Sequence, residues 1–244
     1  MAGLLSLFEK KRKEYFCSAV IVAAGSATRM EGIDKVIAPL GELPILVHTL
    51  YAFQDAPCIH EIVVVTREGL LGEVSRLCKE FDLNKVRKIV VGGAERTLSV
   101  QKGISECSAQ ADLIAIHDGA RPLVTRQIIE QTVAVAAKTG AAVPAVPITD
   151  TVKREKDGLL VETADRSQLR GVQTPQVFDA GLIRTAIAKA VEDGVSLTDD
   201  CAAVERLGMK ISITPGSREN MKITTPIDLI FGEAILEARG RGEL

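Results

Sequence analysis

The chain has 244 residues, of which 46% are hydrophobic and 25% are charged, and its formal net charge at pH 7 is -2. This length suits one α/β domain with a substantial core. The balanced charge excludes proteins that bind nucleic acid nonspecifically through a basic face. No apolar run approaches the roughly 20 residues that cross a membrane, so we expect neither a nucleic-acid nor a membrane partner.

The cysteines and histidines narrow the class of protein further. Five cysteines are scattered along the chain without a Cys-x-x-Cys pair, which is typical of reduced thiols in the cytoplasm. The three histidines are too dispersed to predict a zinc cluster. The sequence therefore predicts a cytoplasmic protein, and we assign no side chain as a metal ligand.

Residues 1–16 are expected to form a leader ahead of the folded domain. Residues 1–8 are largely apolar and a charged run at 9–14 follows them, which reverses the order found in a secretory signal peptide. We assign residues 17–240 to a single domain.

Short apolar runs alternate with amphipathic stretches along this domain. The runs lie at 18–23, 61–66, 88–92, 112–117 and 141–146. Such near-continuous runs are typical of parallel strands that are buried on both faces. Helical patterns lie between and after them, at 45–53, 69–81, 95–107 and 125–138. The alternation predicts an α/β fold with a doubly wound, mostly parallel sheet, whose ligands bind beyond the carboxyl ends of the strands.

The first strand is followed by a loop of small residues and two cations. Small side chains let backbone N–H groups approach phosphate oxygens, and Arg29 and Lys35 could neutralise a polyphosphate. A plain tight connection explains the loop equally well. The loop matches neither a P-loop nor a dinucleotide-binding fingerprint. Its candidate phosphate-binding residues are Ala23, Ala24, Gly25 and Ser26.

Two further strand ends carry candidate site residues. Gly92 and Gly93 precede a helix that contains Ser99, so a ligand could approach that helix start closely. Asp118 and Arg121 follow the fourth strand, where they could bind sugar hydroxyls, a metal or an anion. A turn or capping role for these residues stays open. The neighbouring His117 is expected to be packed rather than catalytic.

The strand–helix alternation breaks at Pro147. Residues 148–171 read as polar strands around Asp157-Gly158, a hairpin signal, so we predict a projecting arm at about 147–171 that could make dimer contacts. Residues 172–178 come after it, followed by expected helices at 179–191, 198–207 and about 225–238, and an expected strand at 210–214. Five cations at segment ends would suit a ligand pair rich in phosphates: Arg29, Lys35, Arg121, Arg166 and Lys222.

Read in order, these segments resemble the 2-C-methyl-D-erythritol 4-phosphate cytidylyltransferases of the non-mevalonate isoprenoid pathway. No single motif is specific, but the ordered series is. It comprises Ala23-Ala24-Gly25 with Arg29-Met30, Lys35, Gly92-Gly93 with Arg96, Ser99-Val100, residues 117–122, residues 150–153, Asp165-Arg166, Thr174-Pro175-Gln176, Thr198-Asp199-Asp200 and residues 220–224. The chain departs from the family pattern at Ala27, where a glycine is usual, and around Asp34-Lys35-Val36, where Pro-Lys-Gln is usual.

The resemblance implies a Rossmann-like core of the nucleotide-diphospho-sugar transferase type and a homodimer that exchanges its arms. It implies transfer of a cytidylyl group from CTP to 2-C-methyl-D-erythritol 4-phosphate, with Mg²⁺ held mainly through the CTP phosphates. The implied catalytic residues are Arg29, Lys35, Arg166 of the partner subunit and Lys222. The implied nucleotide-binding residues are Ala23, Ala24, Gly25, Ser26, Gly92, Gly93, Ser99 and Asp118. The implied acceptor-binding residues are Asp118, Arg121, Thr151 of the partner subunit, Arg166 and Lys222.

Two other functions stay open on the residues alone. The same chemistry on ribitol 5-phosphate would use much of this pattern. A non-catalytic nucleotide-binding regulator with this fold is the alternative from another class, although we would expect it to have lost one of the five cations.

Overall fold

An eight-stranded mixed sheet organises the chain in the computed structural model, which describes residues 15–25 and 34–244. The strands are β1 (Cys17–Val22), β2 (Pro39–Leu40), β3 (Leu43–Pro44), β4 (Glu61–Thr66), β5 (Val86–Val91), β6 (Leu113–Asp118), β7 (Ala141–Pro147), β8 (Lys153–Lys156), β9 (Leu159–Thr163), β10 (Arg170–Val172), β11 (Gln176–Asp179) and β12 (Ser212–Pro215). The helices are α1 (Ile45–Gln54), α2 (Leu71–Glu80), α3 (Arg96–Glu106), α4 (Arg126–Thr139), α5 (Ala180–Glu192), α6 (Asp200–Glu205) and α7 (Pro226–Gly240).

The strand order confirms the predicted doubly wound, mostly parallel sheet. The order is β10-β7-β11-β6-β1-β4-β5, and β12 also pairs with β7, in the parallel direction. β1 lies between β6 and β4 and runs parallel to both. β11 runs antiparallel between β6 and β7. This inserted strand places the segment before it, residues 173–175, beside the carboxyl end of β6.

Helices cover the sheet on both faces, as the apolar strands require. Alternate residues of β1 belong to two core clusters: Ile21 packs with Phe53 of α1 on one side, and Val20 packs with Val100 of α3 on the other. Every residue of β4 and β6 is buried. The expected burial on both faces is wrong for β5, because this strand lies at the sheet edge and exposes residues such as Lys88.

Gly103 determines how closely α3 lies on the sheet. A Cβ at this position would lie 2.4 Å from Val20 Cγ1 and 2.7 Å from Val65 Cγ2. We expect Gly103→Ala to lower the free energy of unfolding by about 1–3 kcal/mol, the usual cost of overpacking a core. Gly72→Ala in α2 is the matched control, because a Cβ there meets open space, and it should be neutral or stabilising by up to about 1 kcal/mol. Urea denaturation of both variants checks this; similar effects of the two would contradict it.

The predicted arm is a separate hairpin that stands away from the core. β8 and β9 pair antiparallel around Asp157-Gly158, whose φ angles of 53° and 79° fit a tight turn. All residues of both strands are exposed. The description of the arm as polar is wrong for β9, because Leu159 and Leu160 are each 70% exposed and Val161 is 54% exposed. An apolar strand left in water at this position is typical of a surface that another chain covers.

The ends of the arm are held together. β7 leads into the arm and β10 leads out of it, and Pro147 pairs with Arg170 where the two strands meet. The arm therefore begins and ends at one point of the sheet. Within the described part of the chain, no helix combines the length and apolar character needed to cross a membrane.

Candidate active site

A cavity of about 340 Å³ opens beyond the carboxyl ends of β1, β5 and β6, where the fold class predicts a ligand site. Its lining brings together segments that are distant in the sequence. The predicted site residues among its lining are Ala23, Ala24, Gly25, Lys35, Gly93, Ser99, Asp118 and Lys222.

The first loop forms one wall of this cavity. Ala23 is buried and its N–H donates to the Val65 carbonyl over 2.7 Å, which continues the pairing of β1 with β4. Gly25 is exposed at the mouth. Ser26 and Arg29, together with Ala27, lie outside the described residues.

Lys35 lies on the cavity wall next to an anchored turn. The neighbouring Asp34 forms an ion pair with Arg67, and its carboxylate accepts a hydrogen bond from the Val36 N–H at 3.3 Å. The Asp34 carbonyl also accepts from the Ile37 N–H and the Ala38 N–H. This turn fixes the backbone from which the lysine projects.

The double glycine lets the second wall approach the first. A Cβ at Gly92 would lie 2.6 Å from Ala24 Cβ and 2.7 Å from Ser99 Oγ. The Gly93 N–H donates to Ser99 Oγ at 3.0 Å, and this hydroxyl donates to the Glu95 carbonyl. Gly92 therefore acts through packing, whereas Gly93 and Ser99 face the cavity.

Asp118 is the centre of charge in the site. Lys222 Nζ lies 3.0 Å and Arg121 Nε lies 3.4 Å from Oδ2 of this buried carboxylate. Arg96 NH2 lies 3.7 Å from its Oδ1. Burial alone would raise the pKa of Asp118, but the charges of Lys222, Arg96 and Arg121 outweigh burial and hold this pKa well below its usual range. Asp118 therefore stays ionised and positions cations rather than accepting a proton.

The expectation that His117 is packed is confirmed, and its contacts extend to Asp118. His117 is fully buried, and burial lowers its pKa from 6.5 to about 3, so the ring is neutral at pH 7. Its Nδ1 lies 2.9 Å from Thr174 Oγ1, and its Nε2 lies 3.2 Å from the Arg121 carbonyl. A neutral ring protonated on Nε2 can donate to that carbonyl and accept from Thr174. The Thr174 oxygen in turn accepts from the Asp118 N–H at 3.2 Å.

The neutral state of His117 predicts a pH-dependent stability. The unfolded chain gains a proton on this ring below about pH 6.5, whereas the folded chain resists protonation down to about pH 3. The contribution of the neutral His117 ring to the free energy of unfolding should therefore be complete above pH 6.5. It should decrease as the pH drops, by up to about 1.4 kcal/mol per pH unit. Urea denaturation at pH 7, 6 and 5 measures this slope. His117→Gln should have a shallower slope, and an unchanged slope would contradict the assignment.

A buried amide network holds the segment that carries Lys222. Asn220 is fully buried, and its Nδ2 donates to the Thr174 carbonyl at 3.1 Å and to Gln173 Oε1 at 3.2 Å. The Asn220 carbonyl accepts from Arg121 NH1 at 2.8 Å. Sequence reasoning assigned Arg121 and Lys222 to the site but gave no role to Asn220, Gln173 or Thr174. Asn220 and Thr174 belonged to the ordered motifs, whereas no motif included Gln173.

Arg96 and Asp200 are further residues that received no site role from the sequence. Arg96 lies on the cavity wall and forms two hydrogen bonds to Asp200, at 2.8 and 2.7 Å. Both residues also belonged to the ordered motifs, but the motifs did not indicate that the two make contact.

The two predicted arm residues do not reach this cavity within one subunit. Thr151 and Arg166 are exposed, and Arg166 NH1 donates to the Thr149 carbonyl at 2.6 Å. The single chain therefore brings Lys35, Asp118, Arg121 and Lys222 together and leaves Thr151 and Arg166 on the arm.

The donors around the cavity suit a cation that takes most of its ligands elsewhere. Within residues 15–25 and 34–244, no group of three or more His, Cys, Asp or Glu side chains could hold a metal ion. The Asp118 carboxylate offers oxygen to the cavity, but three cations already contact it. Mg²⁺ commonly binds through one or two carboxylates together with substrate phosphates and water, and this donor set fits that arrangement.

The sequence is similar to that of one enzyme family over most of its length. Residues 17–238 match the family model for 2-C-methyl-D-erythritol 4-phosphate cytidylyltransferase. A protein of that name from Halalkalibacterium halodurans is 44% identical over 225 residues, which cover 92% of this chain and 98% of the relative. One from Syntrophotalea carbinolica is 43% identical over 224 residues, covering 91% and 96%.

Solved structures of proteins with this activity in their names have a similar fold. The 4-diphosphocytidyl-2C-methyl-D-erythritol synthase of Anaerococcus prevotii superposes with a TM-score of 0.82 at 30% identity, covering 92% of this chain and 97% of that one. The 2-C-methyl-D-erythritol 4-phosphate cytidylyltransferase of Thermus thermophilus gives a TM-score of 0.74 at 31% identity, covering 89% and 98%. On the family match, the sequence identities and the shared fold, this chain belongs to the 2-C-methyl-D-erythritol 4-phosphate cytidylyltransferase family.

Proposed function

We propose that this enzyme transfers a cytidylyl group from CTP to 2-C-methyl-D-erythritol 4-phosphate, which yields 4-diphosphocytidyl-2-C-methyl-D-erythritol and pyrophosphate. One observation carries the proposal beyond family membership. Lys35 and Lys222 both line a cavity at the strand ends, and the buried carboxylate of Asp118 holds Lys222 at 3.0 Å. Two cations on one cavity suit a reaction between two polyanions.

The chemistry needs positioning and charge more than proton transfer. An acceptor phosphate oxygen attacks the α-phosphorus of CTP, the bond to the bridging oxygen breaks, and pyrophosphate leaves with the electron pair. A phosphomonoester is largely dianionic at pH 7, because its second pKa is about 6, so the nucleophile requires no strong base. This agrees with a site in which Asp118 is ionised and engaged by cations.

We assign the residues to two halves of the site. Lys35 and Arg29 would hold the CTP phosphates and stabilise the charge that builds on them, and the small residues of the first loop with Gly93 and Ser99 would bind the nucleotide. Lys222 and Arg121 would hold the acceptor phosphate, and Asp118 would position these two cations. Cations placed in advance stabilise developing charge without reorganising during the reaction.

A divalent cation would add to this charge stabilisation. We assign Mg²⁺, held mainly through the CTP phosphates, with the carboxylate of Asp118 on the cavity wall. When bound, it would polarise phosphoryl oxygens as a Lewis acid. The protein's own part is to keep Lys35 and Lys222 on the walls beside it.

The arm supports a homodimer with shared sites. Thr151 and Arg166 are exposed on the arm and do not line their own cavity, and the apolar residues of β9 lack cover within the described chain. We propose that each arm reaches the partner subunit, where Thr151 and Arg166 complete the acceptor half of its site. Five free cysteines favour placement in the reducing cytoplasm.

Pyrophosphate release tests the function directly. Mixing the protein with CTP, Mg²⁺ and 2-C-methyl-D-erythritol 4-phosphate should release pyrophosphate, and omission of any one of them should abolish release. Ribitol 5-phosphate in place of the acceptor, and UTP in place of CTP, are the matched controls. Faster release with ribitol 5-phosphate would reassign the acceptor, and no release with any pair would refute the activity.

A further inference from the structure

The contact between Arg96 and Asp200 joins two parts of the site that the assigned roles leave unconnected. Arg96 is the first residue of α3, directly after the loop that carries Gly93. Asp200 is the first residue of α6 and is 1% exposed. The two parallel hydrogen bonds between them, at 2.8 and 2.7 Å, form the bidentate fork that guanidinium and carboxylate groups favour.

Asp200 is itself rigidly held. Its N–H and the Cys201 N–H both donate to Gln176 Oε1 at 3.0 Å. Gln176 is buried in β11, and its Nε2 donates to Asp199 Oδ2 at 2.9 Å. Asp199 caps α6 by accepting from the Ala202 N–H. The start of α6 is therefore fastened to the sheet strand that lies beside β6.

The same Arg96 nitrogen that bonds Asp200 Oδ2 also approaches Asp118. Arg96 NH2 lies 3.7 Å from Asp118 Oδ1, while Lys222 and Arg121 approach Oδ2. Arg96 thus approaches one carboxylate oxygen and leaves the other to the two cations assigned to the acceptor. An Arg96 released from Asp200 would carry an unpaired charge into a site built for phosphates, where it would compete with Lys222.

We propose that Arg96 and Asp200 form a positioning pair for the transfer reaction. Asp200 anchors and neutralises Arg96, and Arg96 holds Asp118 so that Lys222 and Arg121 face the acceptor phosphate. The pair also connects the nucleotide wall, which follows β5, to the acceptor wall, which follows β6. This role rests on the proposed cytidylyl transfer, and Asp200 itself contacts neither substrate.

Steady-state kinetics of three variants, with the thermal midpoint of each, test the pair. Asp200→Asn removes the anchoring charge, and Arg96→Lys keeps a positive charge but loses the fork. The double replacement Arg96→Met with Asp200→Leu removes both buried charges, a change that proteins often tolerate in their stability. Glu106→Gln, which breaks the exposed pair with Lys88, is the matched control.

We expect each of the three variants to lower kcat/KM for the acceptor about 10-fold or more, because small displacements of positioning groups are costly. The KM for CTP should change less than about 2-fold, since the pair acts through the acceptor half, and Glu106→Gln should match the wild type in every constant. A purely structural pair would instead lower the thermal midpoint and leave the constants of the folded protein unchanged.

The outcomes separate this inference from the proposed function. A wild-type protein without pyrophosphate release would refute the function itself. An active wild type together with folded variants of unchanged acceptor kcat/KM would overturn the pair alone. If Asp200→Asn does not fold, Arg96→Lys and the double variant decide by the same criterion.

Discussion

Lys35→Ala is expected to lower kcat for cytidylyl transfer about 100-fold or more, the scale on which enzymes lose rate when a donor to the transition state is removed. Lys35 lies on the cavity wall next to the turn that Asp34 anchors. Negative charge grows on the phosphates as pyrophosphate departs, so a fixed cation should act mainly on the rate of the chemical step.

Separate measurement of kcat and KM distinguishes this role from simple binding. A loss confined to the KM for CTP would show that Lys35 binds substrate and transition state equally, contrary to the assignment. Lys79→Ala, which removes an exposed lysine of α2, is the control and should leave both constants unchanged. Lys35→Arg should recover part of the rate, because the charge is kept but the geometry changes.

Mixed dimers should recover activity from two inactive parents. If Arg166 acts in the partner's site and Lys222 in its own, Arg166→Ala and Lys222→Ala homodimers are both inactive. In a mixed dimer, one site then has both residues and the other has neither. Free exchange of equal amounts should therefore restore about a quarter of the wild-type activity.

The pair Lys35→Ala and Lys222→Ala is the control for this experiment. Both lysines line the cavity of one subunit, so no mixed dimer of these parents has an intact site and no recovery is expected. Subunit exchange is followed with differently tagged chains. Fully exchanged Arg166→Ala and Lys222→Ala mixtures that stay inactive would refute the shared site.

The core of the fold follows closely from the sequence. The apolar runs became β1, β4, β6 and β7, because strands buried on both faces must be apolar throughout. The runs could not reveal which strands would be neighbours. The antiparallel β11 between β6 and β7, and the edge position of β5, depend on pairings between distant segments that carry no local signal.

The candidate site was predictable in its charges but not in its supports. A cation at a segment end, such as Lys222, can be recognised in the sequence because it does not belong to the apolar pattern of the core. The buried partners of Asn220 and His117 are not visible, since a polar residue in a sequence does not show which carbonyl or hydroxyl it will meet after folding. Arg96 and Asp200 were missed for the same reason.

The closed base of the arm has a consequence for how this fold can change. Since Pro147 and Arg170 already pair where β7 and β10 meet, the arm behaves as a module inserted into a finished sheet. Shortening or lengthening the β8–β9 hairpin, which lies between Thr151 and Arg166, has a small entropic cost and leaves the register of β7 and β10 intact. Assembly and partner choice can therefore diverge within this family while the catalytic core keeps its architecture.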